Sequence, residues 1–202
     1  MKQKPLVLFL LILLHYSVFA QLDKPEEKIR EIANKYFAVS PEGLNLSLVI
    51  EKLKSNIHLE TDTVINKTDT SLFYFRGYTT AFNPFNTPIQ KIEIQIREDK
   101  VNGTNIKDTI LVFMIIAITD SSLQSKQNLA NELRNIVKDI SPVFSRTEHR
   151  KSSKKDKLQF DGYSFYYLLR SFPYLTIGWN KYYQNHKVYS LNLTLLYRNI
   201  RE

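Results

Sequence analysis

Hydrophobic residues recur along this chain with two different periods, and each change of period marks out an element. Ile29, Ile32, Ala33, Tyr36 and Phe37 recur at spacings of three and four, which places them on one stripe of a helix. Asp23 and Glu26 stand ahead of it at capping-box spacing, and Pro25 suits a first turn. Ser40-Pro41-Glu42 opens a second helix in the same manner, striped by Leu46, Val49, Ile50 and Leu53. Two such helices need a surface to cover. From Ile57 the period becomes two: Ile57, Leu59, Thr61 and Thr63 alternate with His58, Glu60 and Asp62, the pattern of a strand. Leu72 to Thr80 reads as a second strand. The stretch 81–88, with Asn83-Pro84 and Thr87-Pro88, reads as a loop.

Lys91 to Arg97 alternates most cleanly. Ile92, Ile94 and Ile96 face one way, and Lys91, Glu93, Gln95 and Arg97 the other, so one face is expected in a core and the other in water. Asn102-Gly103 is a turn signal for antiparallel strands. Ile110 to Ile118 is apolar without a break, as expected of a central strand covered on both sides. A helix follows from Ser122 to Ile140, with Leu129, Leu133, Ile136, Val137 and Ile140 on one face and Ser141-Pro142 as its stop. Residues 146–157 contain no apolar side chain and are expected to form an exposed loop. Strands are expected again over 158–169, 174–183 and 188–197, with 184–187 as the last turn.

Helices are segregated from runs of consecutive strands. That order predicts an α+β fold: an antiparallel β-sheet of about six to seven strands, with three helices packed mainly on one face. One composition holds from residue 21 to residue 202 with no Pro/Gly/Ser linker, so a single α+β domain is expected there. Residues 1–20 read differently. Lys2 and Lys4, the apolar run Leu6 to Leu14, and Val18-Phe19-Ala20 have the form of a signal peptide cleaved before Gln21. The run is shorter than the roughly 20 residues a spanning helix needs. No later stretch is apolar enough to span, so no transmembrane segment is expected after signal cleavage. The expected location is outside the cytoplasm, periplasmic or extracellular. The richness in Asn, Lys, Ile, Tyr and Phe resembles, in composition alone, exported proteins of Bacteroidetes-type bacteria.

Composition narrows the chemistry. The 202 residues are 43% hydrophobic and 24% charged, enough for a packed core. Cysteine is absent, which excludes disulfides, zinc–thiolate sites and cysteine nucleophiles. The five glycines form no phosphate-cradling motif. His58, His149 and His186 are scattered, and no metal site is expected from them. Ser152-Ser153-Lys154-Lys155 formally spells S-x-x-K, but in a charged segment where the lysine stays protonated. Glu60 with Asp62, and Glu93 with Glu98, are the candidate carboxylate pairs for glycoside hydrolysis. Sequons begin at Asn45, Asn66, Asn102 and Asn192 and are read as chance. No catalytic residue and no cofactor are expected.

The formal charge is +8, and much of it falls in one place. Arg146, Arg150, Lys151, Lys154, Lys155 and Lys157 sit within 146–157 against Glu148 and Asp156, a candidate contact for an anionic surface. The segment lacks the interleaved aromatics of nucleic-acid readers, so no nucleic-acid partner is expected. Trp179, Tyr182 and Tyr183 are the candidate aromatic ligand face. Together these features predict an exported, non-catalytic binding or protein-interaction module whose partner is an envelope protein, a glycan or an anionic surface. The alternatives are a small secreted or periplasmic hydrolase using scattered Asp, Glu and His, and, further off, a small outer-membrane β-barrel.

Overall fold

The computed structural model describes residues 27–40, 46–67, 72–100, 109–154, 157–167, 174–181 and 187–199. Helix α1 covers 27–37, α2 covers Leu46–Asn56 and α3 covers Leu123–Ile140, running into one 3₁₀ turn at Ser141–Val143. The strands are β1 Thr61–Lys67, β2 Leu72–Thr79, β3 Lys91–Lys100, β4 Thr109–Ile118, β5 Arg146–Lys154, β6 Lys157–Tyr166, β7 Leu175–Asn180 and β8 Ser190–Asn199. They form one antiparallel sheet in the order β1-β2-β3-β4-β8-β7-β6-β5. Two four-strand meanders, each preceded by a helix, therefore meet through their last strands, β4 and β8. No internal repeat is visible in the sequence, so the likeness of the halves is one of topology.

The sheet has eight strands rather than six or seven, and the additional one is β5. Residues 146–154 are not a loop. They pair with β6 from Arg146↔Tyr166 to Lys154↔Lys157, with a bulge between Ser152 and Ser153. A second correction concerns Ile57 and Leu59. Ile57 donates its N–H to Leu53 O at 2.9 Å and so continues the helix end. The strand begins only at Thr61.

One sheet face carries the core. Ile92, Ile94 and Ile96 of β3 are fully buried on it, as are Phe113 and Ile115 of β4, Leu193 of β8 and Ile177 of β7. They join one cluster with Ile32, Ala33, Tyr36 and Phe37 of α1, Leu46, Val49 and Leu53 of α2, and Leu129, Leu133, Ile136 and Ile140 of α3. The helical stripes seen in the sequence are the buried ones. Phe37 meets Phe113 edge to face, with ring centroids 4.8 Å apart, the geometry aromatic quadrupoles favour. The 81–88 loop is pinned to this layer. Phe85 packs on Tyr36, and the backbone N–H of Asn86 donates to Glu132 Oε1 of α3 at 3.1 Å. That bond satisfies a carboxylate only 4% exposed.

Local chemistry sets two helix ends. Ser122 caps α3 by accepting from the Ser125 N–H at 3.1 Å, while Asp120 accepts from the Ser122 N–H at 2.8 Å. Helix α1 ends at Phe37, and Ala38 then takes φ 58°, the left-handed region where a Cβ crowds the carbonyl that follows it. Its carbonyl accepts from Asn56 Nδ2 at 2.7 Å, which ties the α1 exit to the end of α2. Glycine is the usual residue here. Ala38→Gly is expected to stabilise the protein by about 1 kcal/mol, read as a higher urea midpoint at unchanged slope. A lower midpoint would refute the left-handed assignment.

Candidate binding site

Alternation gives each strand a second face, and on this sheet the opposite face is not simply wet. One cross-strand row runs Tyr78, Glu93, Ile116, Asn192, Gly178, Gly162, Arg150 from β2 to β5. Within it Glu93 is 0% and Ile116 4% exposed, and nearby Val112 is 5%, Ser190 1% and Thr194 8%. The expectation that Glu93 faces water is overturned. Its Oε1 accepts from Arg76 Nε and from Gln95 Nε2, the latter at 2.7 Å, while Oε2 is buried with no partner. The Arg76 guanidinium lies 5.2 Å from the Tyr78 ring centroid and Lys91 Nζ lies 3.8 Å from it, so one phenol ring serves two cations.

Further along the row lies a cavity of about 310 Å³. Its walls come from five strands: Met114 of β4, Asn192 and Thr194 of β8, Thr176 and Asn180 of β7, Phe160 and Ser164 of β6, and Arg150 of β5. The cavity opens where the glycine pair of β6 and β7 carries no side chains. Gly162 and Gly178 are paired across β6 and β7 and form part of the lining. The Phe160 ring occupies the space their side chains would take. A Cβ on Gly162 would stand 2.5 Å from Phe160 Cζ and 2.9 Å from the Ile177 carbonyl, and one on Gly178 2.7 Å from Phe160 Cε2. No residue other than glycine fits either position without the ring or the backbone moving. The Asn192 Oδ1 is buried without a partner, and Arg150 at the rim donates to Glu148 Oε2 at 3.1 Å.

The basic segment is an edge. Strand β5 has β6 on one side and no described strand on the other. Its side chains are well exposed: Arg146 55%, Arg150 66% and Lys151 54%. Charges along a sheet edge oppose pairing with a second chain, a structural reason for this composition. Arg146 lies over the Tyr166 ring at 4.0 Å, and Tyr166 donates to Glu148 Oε2 at 3.0 Å. On the other side of β5, His149 stacks on Tyr163 at 4.2 Å and meets Asp161 Oδ1 at 2.6 Å, with Lys151 Nζ 3.8 Å from Asp161 Oδ2. Lys154 and Lys157 pair across the hairpin by their backbones. Lys155 lies outside the described residues.

The aromatic ligand face is not assembled. Trp179 is 2% exposed and belongs to the core cluster, edge-on to Tyr189 at 5.9 Å and under Lys126 of α3. It shares its parity in β7 with Leu175 and Ile177, which dictates the core side. Tyr182 and Tyr183 lie outside the described residues. Of the candidate carboxylate pairs, one is split by the sheet and the members of the other are each engaged elsewhere. Glu93 and Glu98 differ in parity along β3 and point to opposite faces. Glu60 accepts from the Thr80 N–H at 2.8 Å and from its hydroxyl, and Asp62 is paired with Lys54. Among the described residues no group of three or more His, Asp or Glu could hold a metal ion, and no helix is long and apolar enough to cross a membrane. Of the sequons, Asn66 and Asn192 lie in β1 and β8, and Asn45 and Asn102 fall outside the described residues.

Among the described residues three carboxylates titrate below their ordinary range. Hydrogen bonds from Thr80 lower Glu60, those from Ser122 and Ser125 lower Asp120, and those from Arg150 and Tyr166 lower Glu148. A carboxyl depressed on folding contributes stability above its unfolded pKa, and that contribution is lost as pH falls through the folded value. The protein is therefore expected to hold its urea midpoint from neutrality to about pH 4.5 and to lose it progressively below. Asp120→Asn should shrink the loss. An acid limb unchanged by Asp120→Asn, Glu60→Gln and Glu148→Gln together would refute this assignment.

No family model matches the chain, no curated protein matches it, and no solved structure matches its fold.

Proposed function

We propose that this protein is an exported, non-catalytic binding module, with residues 1–20 as a cleaved signal peptide and residues 21–202 as the working domain. The observation that carries the reading is the cavity on the opposite sheet face. It is lined by Asn, Thr and Ser side chains and glycine backbone together with Met114, Phe160, Tyr163 and Ile177, with Arg150 at its rim, the mix of apolar walls and a few polar groups that suits a small ligand. Its volume falls at the low end of small-molecule sites, about 300–1,000 Å³. With the helices mainly on the core face, the opposite face is left for a ligand. The basic edge, with Arg146, Arg150 and Lys151 exposed and Lys154, Lys155 and Lys157 beyond them in the sequence, is proposed to bring the domain to an anionic envelope surface.

Fractionation of the native host with a tagged copy, followed by N-terminal sequencing, tests export. The protein should appear in the envelope or the medium and begin at Gln21. Recovery from the cytoplasm with residues 1–20 attached would overturn the proposal. The basic edge is tested with anionic vesicles. Charge reversal at Arg146, Arg150 and Lys151 should abolish co-sedimentation, and unaltered co-sedimentation would remove the edge from the proposal.

A further inference from the structure

We infer that the cavity between β4 and β6 takes a neutral, hydroxyl-rich ligand, and that the group it holds is a sugar ring. The inference rests on the binding-module reading and gives it a ligand class.

The chemistry of the walls selects the ligand. Thr176, Asn180, Asn192, Thr194 and Ser164 carry groups that both donate and accept. None carries a net charge. The one charged side chain at the rim, Arg150, is already engaged by Glu148. Arg150 stands at the rim, turned to solvent and shared with Glu148, and no carboxylate lines the cavity, so the walls inside the rim offer an ionic ligand no counter-charge of their own. A hydroxyl suits them in either role. The same holds for Asn192. Its Oδ1 has no partner in the protein, and with the amide turned over the same position would hold an N–H donor. A hydroxyl pairs with both. The terminal amide torsion is broad, so the group can swing to a ligand without leaving β8.

Shape adds a second argument. Gly162 and Gly178 carry no side chain at two adjacent positions, and the Phe160 ring lies over both. Sugar rings present C–H faces to aromatic rings and hydroxyls to their edges. Here a ring and a band of hydroxyl and amide groups line the same cavity. Two of only five glycines in the chain face each other at this point.

The test is saturation-transfer NMR and calorimetry on the purified protein with free glucose, galactose, mannose and N-acetylglucosamine, and with cellobiose and maltose. Binding of one or more is expected. Thr176→Val, which keeps shape and removes a hydroxyl, and Asn192→Leu should each weaken it by about tenfold. Thr176→Val should leave the melting temperature unchanged. Asn192→Leu should not lower it, because the unpartnered oxygen is gone. A disaccharide preferred over its monosaccharides would point to a glycan chain as the source, and equal affinities to a free sugar; both support the inference. No binding of any neutral sugar, or binding indifferent to both variants, overturns it. Binding confined to acidic sugars and lost in Arg150→Gln also overturns it. A protein that takes no sugar yet crosslinks to a reproducible envelope partner loses this inference and keeps the binding-module reading. A protein that does neither loses both.

Discussion

Phe113→Ala is expected to destabilise the protein by about 3–5 kcal/mol. Phe113 sits at the middle of β4, is 0% exposed and meets Phe37 of α1. It pairs with Ile96 on one side and Leu195 on the other, so its ring lies where the two meanders join. Removing it costs the transfer energy of the ring and leaves a cavity between a central strand and a helix, neither of which can close it alone. Natural domains hold only about 5–15 kcal/mol in total, so the variant would be near the edge of folding. The check is the urea midpoint at constant slope. A loss below about 1 kcal/mol would mean that α1 does not cover β4 as described.

The second large effect lies on the opposite face. Arg76→Ala is expected to cost about 3 kcal/mol, because it strands the Glu93 carboxylate, which is 0% exposed and has one oxygen already without a partner. Glu93→Leu alone should cost less, since the Arg76 side chain is 30% exposed and can turn to water. The double variant Arg76→Met with Glu93→Leu should recover most of the loss, because an apolar pair of similar size avoids the desolvation of two charges. A double-mutant cycle in denaturant measures this directly. Strictly additive losses would show that the two groups do not interact through burial.

Most of the elements are legible in the sequence because their buried stripes are regular. The α1 positions Ile32, Ala33, Tyr36 and Phe37 and the β3 positions Ile92, Ile94 and Ile96 are buried as their spacing requires. Strand β5 is illegible for a physical reason. An edge strand wet on both sides carries no hydrophobic period, and only its pairing with β6 reveals it. Glu93 is hidden by the opposite rule: parity places it on the polar side, but parity says nothing about how closely Arg76 and Gln95 pack over it there. The cavity has only one of its walls written in a single strand. In β7, Leu175, Ile177 and Trp179 alternate with Thr176, Gly178 and Asn180, so the parity that sends Trp179 inward sends a glycine and two polar side chains to the other face. That Gly178 meets Gly162 depends on the register between two strands, which neither strand's own pattern specifies.

The order of the strands also governs how the chain must fold. Strand β8 is the last in sequence yet sits beside β4 at the middle of the sheet. Until residues 190–199 are synthesised, β4 and β7 each present an unpaired edge, and β4 is apolar along nearly its whole length. Local hairpins can form early, but the central seam closes only across a long sequence separation, which slows folding. A nascent chain of this protein therefore stays open and sticky until late.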